Sequence, residues 1–247
     1  MKNLSRYYTA VTLSMIFWAL SFVWFKIANK YYEPITIVFI RLCIAVGFLS
    51  IFLWLTHGFK KIRPEDRKYF FLLATCEPFL YFLGESFGLT YVSSTVGSVI
   101  ISTIPLFAIL VAWVFFREKL SFINYAGAII SFVGLLIFLS NSNGSITIDI
   151  KGLLLLFLAV FSAVGYNMVL HRLAPLYSPV LIVCIQNAVG AILFLPLFLI
   201  FDLKDLLVTG FVAEGFSSIV LLSLFASSAA FVLYAYSVKH LGISLAN

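Results

Sequence analysis

The chain has 247 residues, of which 63% are hydrophobic, 17% aromatic and only 11% charged, and its formal net charge is +6. A soluble domain carries about 25% charged residues, and so few would leave apolar patches far larger than a soluble surface tolerates. Composition therefore excludes a soluble enzyme, a disordered chain and a disulfide-rich secreted module. A β-barrel is excluded because the apolar runs do not alternate with polar residues.

Eight apolar runs are each long enough to cross a hydrocarbon core of about 30 Å at 1.5 Å per residue. They cover residues 8–29, 35–56, 69–90, 93–116, 122–140, 152–173, 179–201 and 212–238, so the fold class is an all-α polytopic membrane protein. Lys2 and Arg6 precede the first run, but it is too long for a signal peptide and no A-x-A site follows it, so a retained first helix is expected. Pro34 and Pro179 open the second and seventh runs, where a missing N–H costs nothing. Asn141-Ser142-Asn143-Gly144-Ser145 is a linker between the fifth and sixth. With the N-terminus in the cytoplasm, the inside segments hold eleven of the sixteen Lys and Arg. The outside segments hold three, Lys30, Lys151 and Lys204, while Lys26 and Arg41 lie within helices. This bias orients the chain N-terminus inward in a cytoplasmic (inner) membrane. It also accounts for the positive charge without a nucleic-acid partner. Cys43, Cys76 and Cys184 all lie in apolar runs and read as small buried hydrophobes.

The two halves of the chain resemble each other. Phe39 to Ala45 lines up with Cys184 to Gly190, and Glu33-Pro34 with Ser178-Pro179, at an offset of 145. Tyr91 to Gly97 lines up with His240 to Ala246 at an offset of 149. The repeat unit holds five helices, and an odd number reverses orientation, so the halves are inverted, a signature of secondary transporters. The expected domains are residues 1–140, a first five-helix repeat, then an external linker at 141–151, then residues 152–247, a second repeat of three helices plus the start of a fourth. About eight complete helices are thus present of an expected ten, and the second copy reads as truncated before its last two.

These residues resemble the drug/metabolite transporter superfamily, EamA type. Phe17-Trp18-Ala19-Leu20-Ser21-Phe22 with Lys26 is similar to the family's "WGsnF…K" opening, and Arg41 sits where the family carries an arginine. From Tyr91 to Ile137, Ser93, Pro105, Arg117-Glu118-Lys119-Leu120, Gly127 and Gly134 resemble "as…P…GErl…G…G". Ala19 and Arg117 depart from it, each standing where the family has Gly. The resemblance implies ten helices in two inverted five-helix repeats.

Polar groups inside a bilayer are costly and mark partners or wet cavities. Glu77, Tyr81 and Glu85, spaced i, i+4, i+8, share one face of the third helix, with Pro78 as a kink between them. They read as a cavity wall with a proton or cation site, or as acids paired structurally with Arg41 or Lys26. Ser94, Ser98 and Ser102 form a second polar stripe ending at Pro105, which reads as cavity lining or as close helix packing. The eighth helix repeats the third and offers Ser223, Ser227 and Tyr234. The sixth offers Tyr166 and Asn167, and the first offers Trp18, Ser21 and Trp24 as walls. Lys26, Arg41, Pro105 and Glu118 are the structural or gating candidates, with Glu118 in a cytoplasmic clasp. Gly84 to Gly88 is a GxxxG, and Gly127, Ser131 and Gly134 make a small-residue face. Both read as helix contacts, within the chain or in a homodimer.

His57, His171 and His240 fall at membrane edges, and no HExxH, GxSxG or phosphate-cradling loop is present. No cofactor, metal or enzymatic activity is expected. The sequence points to a secondary transporter, in the export direction, for small metabolites such as amino acids or related amphipathic solutes. Its partners are the solute, the lipid bilayer and protons or another coupling ion. A membrane-embedded enzyme and a non-transporting receptor or assembly protein are the alternatives.

Overall fold

A computed structural model describes residues 2–116, 126–127, 129–130, 133–134, 137 and 149–246. The helices are α1 (Lys2–Ala28), α2 (Pro34–Leu55), α3 (Pro64–Tyr91), α4 (Ser94–Ile101), α5 (Ile104–Phe116), α6 (Ile150–Leu173), α7 (Pro179–Thr209), α8 (Ala213–Leu241) and the short α9 (Ile243–Ala246). Seven spans long and apolar enough to cross a membrane occur among the described residues, with α4 and α5 forming one of them. The chain is an all-helical multi-pass membrane protein. The expected fifth helix, 122–140, and the linker at 141–148 lie outside the described residues but for the few within 126–137.

Local chemistry sets the helix starts. Ser93, Asp149 and Ser178 cap α4, α6 and α7, accepting from Val96 N, Lys151 N and Leu181 N. The Glu33 side chain caps nothing at α2; instead Asp202 of α7 accepts from Thr36 N at 2.8 Å and Thr36 Oγ1 at 3.1 Å. Gly210 and Gly242, at φ 66° and 79°, end α7 and α8 in the left-handed region that glycine tolerates. Lys26 donates to Leu89 O at 2.6 Å, satisfying a last-turn carbonyl of α3. Two spans exceed their apolar runs: α3 starts at Pro64 rather than 69, and α7 continues to Thr209 rather than 201.

Three helices depart from ordinary α geometry: α3 over Thr75–Leu80, α8 over Leu222–Ala230 and α7 over Phe198–Asp202, the last two as π segments. In the first, Glu77 leaves helical geometry (φ −147°, ψ 119°) immediately before Pro78, so the expected kink is a local opening of the backbone. In the second, Ser228 Oγ bonds back to Ser223 O, five residues away, at 2.8 Å. The chain also breaks at Ser102–Thr103, where Pro105 has no N–H to continue α4 into α5.

The sequence offsets coincide with helix boundaries. Offset 145 carries Ala28 to Leu173 and Pro34 to Pro179; offset 149 carries Pro64 to Ala213, Ser94 to Ile243 and Thr75–Leu80 into Leu222–Ala230. The equivalent helices α1 and α6 end at opposite ends of the bundle. The α1–α2 connection meets the α7–α8 connection, whereas the α6–α7 connection meets the residues before α3. The two halves are therefore inverted in space. Along the centre, α2 packs on α7, α3 on α6, and α1 on α8. Gly84 and Gly88 serve the α3–α6 contact: a Cβ at Gly84 would run into Leu155 O and lie 2.8 Å from Ala159 N. Gly127 and Gly134 have nothing within 4 Å among the described residues. Of the cysteines only Cys184 is buried; Cys43 is exposed on α2, a position that lipid rather than protein would cover.

Candidate functional site

A cavity of about 550 Å³ lies between the halves, walled by α1, α2, α3, α4, α5, α6 and α8. Its charged side chains are Arg41 of α2 and Glu77 and Glu85 of α3, with Tyr81 between the two acids in sequence. All four are buried, Arg41 to 3% exposure, Glu77 to 7% and Glu85 to 8%. The opening over Thr75–Leu80 turns Glu77 out of the helical ladder while Tyr81 and Glu85 continue along the next two turns, so all three reach the same space.

Each charge is treated differently. Arg41 Nε donates to Ser227 Oγ of α8 at 2.9 Å, and its guanidinium lies 3.8 Å from the centre of the Phe82 ring, a cation–π contact. Glu85 accepts from Tyr81 OH at 3.0 Å. Glu77 makes no hydrogen bond and no ion pair with any described residue. The single ion pair among the described residues is Arg63–Glu65, 3.9 Å apart on the surface. One guanidinium and two carboxylates give the cavity a formal charge of −1 when all are ionised. The two acids are thus not locked to Arg41 or Lys26 in an ion pair; Arg41 Nε bonds Ser227 and Lys26 Nζ bonds Leu89, and the Arg41 guanidinium nitrogens beyond Nε make no described hydrogen bond.

Opposite the acids the wall is aromatic and amide-bearing. Tyr234 OH donates to Asn167 Oδ1 at 2.5 Å, and Tyr166 OH donates to Gln186 Oε1 at 3.2 Å. Trp18 packs against Phe231 and Tyr234, with ring centres 5.1 and 5.2 Å apart. Behind them, Asn187 Nδ2 donates to Ser227 O at 2.8 Å, while Gln186 Nε2 and Asn187 Oδ1 find no partner among the described residues. Ser21, Ser98 and Ser102 line the cavity with hydroxyls bonded to their own helices, at Trp18 O, Thr95 O and Val99 O. Pro105 also lines it.

Trp24 and Ser227 are not part of the lining. Trp24 faces Phe225 (centres 5.8 Å apart), and Ser227 is buried behind Arg41. Lys26 is a helix-end donor, and Glu118 and the side chain of Ser94 lie outside the described residues. Sequence reasoning missed Phe22, Phe82, Thr95 and Phe231 as lining and Gln186 as the partner of Tyr166. Thr95 lies one turn from Ser98, and Gln186 aligns with Arg41 in the repeat, so both carried a signal; Phe82 and Phe231 do not stand out among 27 phenylalanines. Among the described residues no three His, Cys, Asp or Glu side chains are grouped to hold a metal.

An inverted pair of helical halves around a central cavity with a few buried charges is the architecture of a multi-pass membrane protein. The model of the EamA-like transporter family matches residues 5–140 and 150–247, and the chain belongs to that family, within the drug/metabolite transporter superfamily. An "Uncharacterized transporter" of Archaeoglobus fulgidus is 27% identical over 186 residues, 75% of this chain and 65% of that protein. "Uncharacterized transporter YcxC" of Bacillus subtilis is 28% identical over 189 residues, 76% of this chain and 60% of its own length. The matches thus span less than two thirds of these two relatives. A solved crystal structure shares the fold at a TM-score of 0.79 and 15% identity, over 98% of this chain and 83% of that one.

Proposed function

We propose that the chain exports small amphipathic solutes bearing an amine, amino acids or related molecules, from the cytoplasm by alternating access, with the central cavity as the solute site and protons as the coupling ion. The carrying observation is the buried Glu77 carboxylate, which lines the cavity and has no partner among the described residues. A buried charge without a partner is expensive, so a cationic headgroup or a proton is the natural complement. Trp18, Tyr166 and Tyr234 supply the aromatic walls an amphipathic amine favours, and Arg41, which lines the same cavity, complements a carboxylate on the same solute. The N-terminus is assigned to the cytoplasm on the Lys and Arg bias alone. Inverted halves with the site at their interface support a secondary carrier.

Counterflow in proteoliposomes tests this with three probes: tyramine, phenylalanine and glucose 6-phosphate. Uptake of the amine and the zwitterion but not the phosphate ester is expected, with inward proton movement during efflux. In Glu77→Gln, flux loses its pH dependence while the detergent melting temperature stays close to that of the unaltered chain. A large fall in melting temperature with normal flux per surviving molecule would make Glu77 a structural group instead.

A further inference from the structure

Two tyrosines outside the cavity make one contact twice. Tyr32, in the α1–α2 connection, accepts from Val212 N–H at 2.8 Å. Tyr177, in the α6–α7 connection, accepts from Arg63 N–H at 3.2 Å. Both side chains are buried. Tyr32 and Tyr177 are related by the offset of 145, and Arg63 and Val212 by the offset of 149. Each N–H belongs to the residue immediately before the helix it introduces, α3 or α8. Each tyrosine also donates back close to the amide it binds: Tyr177 to Asp66 Oδ2 in the first turn of α3 at 2.7 Å, and Tyr32 toward the carbonyls of Gly210 and Val212 before α8 at 3.3 and 3.4 Å. These two clasps sit at opposite ends of the bundle.

We infer that Tyr32 and Tyr177 are the fixed pivots of the transport cycle, positioning residues about which α3 and α8 turn, and not its gates. The inference rests on the alternating-access reading above. In a carrier built of two inverted halves, passing between the two facing states exchanges the conformations of the halves. A contact unequal between the halves must form or break in that exchange; a contact equal in both halves is the same in both states. Although the tyrosines donate to unlike acceptors, a carboxylate and two carbonyls, the bonds they accept from the two amides are equal. The contacts around the cavity are not: Arg41 reaches Ser227, whereas its repeat equivalent Gln186 accepts from Tyr166. The cavity itself extends to Thr95, in the first turn of α4, at the end of the bundle where the Tyr32 clasp lies, and that clasp is intact. The clasp is therefore not what seals that end.

The test uses the full chain in membrane vesicles of both orientations. A Ser98→Cys substitution places a thiol in the cavity, and its rate of reaction with a membrane-impermeant maleimide is read from each face against the unsubstituted chain. A contact present in both states biases neither, so Tyr32→Phe and Tyr177→Phe should each leave the ratio of the two rates within about twofold. Amide hydrogen exchange should accelerate at Val212 in the first variant and at Arg63 in the second. A roughly tenfold shift of the ratio toward the face whose clasp was removed, the population change expected of a lost gate, overturns the pivots. Should either variant fail to reach the membrane, exchange in the unaltered chain decides. Comparable strong protection at Val212 and Arg63 supports fixed pivots, and fast exchange at one alone overturns them. Labelling of Ser98→Cys from a single face in the otherwise unaltered chain is a different outcome: it removes alternating access itself.

Discussion

Arg41 shows how a cation is kept at the centre of an apolar bundle. Its charge spreads onto the Phe82 ring and onto one hydroxyl, Ser227, rather than into an ion pair. Ser227→Ala leaves a buried Nε–H unsatisfied, which costs about 1–3 kcal/mol. A lower melting temperature in detergent is the expected readout, larger than that of Glu77→Gln, whose carboxylate satisfies no described partner. At the membrane edge, burial first and then the neighbouring Asp66 carboxylate push the Tyr177 hydroxyl above its ordinary 10.0. The sign follows from linkage: a hydroxyl whose pKa is raised on folding contributes stability fully present below its unfolded pKa, lost only as pH rises through the folded one. The stability gap between the unaltered chain and Tyr177→Phe should hold steady from about pH 6 to 9 and shrink above 10, measured by denaturation at each pH.

At the scale of helices, close approach and width decide the packing. Gly84 admits the backbone of α6, and Gly47 on α2 has nothing within 4 Å of where a Cβ would stand. Gly84→Ala must push α3 from α6 and should cost about 1–3 kcal/mol. Gly47→Ala should be neutral or gain about 0.5–1 kcal/mol from helix propensity. Thermal melts of the pair separate the two effects. The GxxxG and the acid face were readable because helical spacing and polarity in an apolar run are local facts. The π segments were not, because α8 carries no proline there, and a wide turn is decided by what packs against it. Partners such as Tyr166 with Gln186 or Tyr177 with Asp66 were equally hidden, since they depend on how inverted halves meet rather than on neighbouring residues.

For the whole molecule, the eight runs foretold the seven described spans, and the repeat foretold which helices are equivalent, because hydrophobic length and order survive in a weakly conserved pattern. Orientation in the bilayer rests on charge alone and makes a direct expectation. A cysteine at Lys61 should resist an impermeant thiol reagent applied to intact cells, and one at Ser145 should react. Reaction at position 61 from outside would turn the molecule over and make the proposed export an import.

The π segments also govern how this chain tolerates changes of length. A wide turn holds an extra residue without altering the direction of the faces on either side. Removing one residue from Leu222–Ala230 should let that turn tighten into ordinary α-helix, with Tyr234 still facing Asn167. The same deletion in α6, which has no such slack, turns everything beyond it by about 100° and carries Tyr166 out of the cavity. Single-residue gaps among homologous chains are therefore expected to collect in the π segments of α7 and α8 and to be rare in α6.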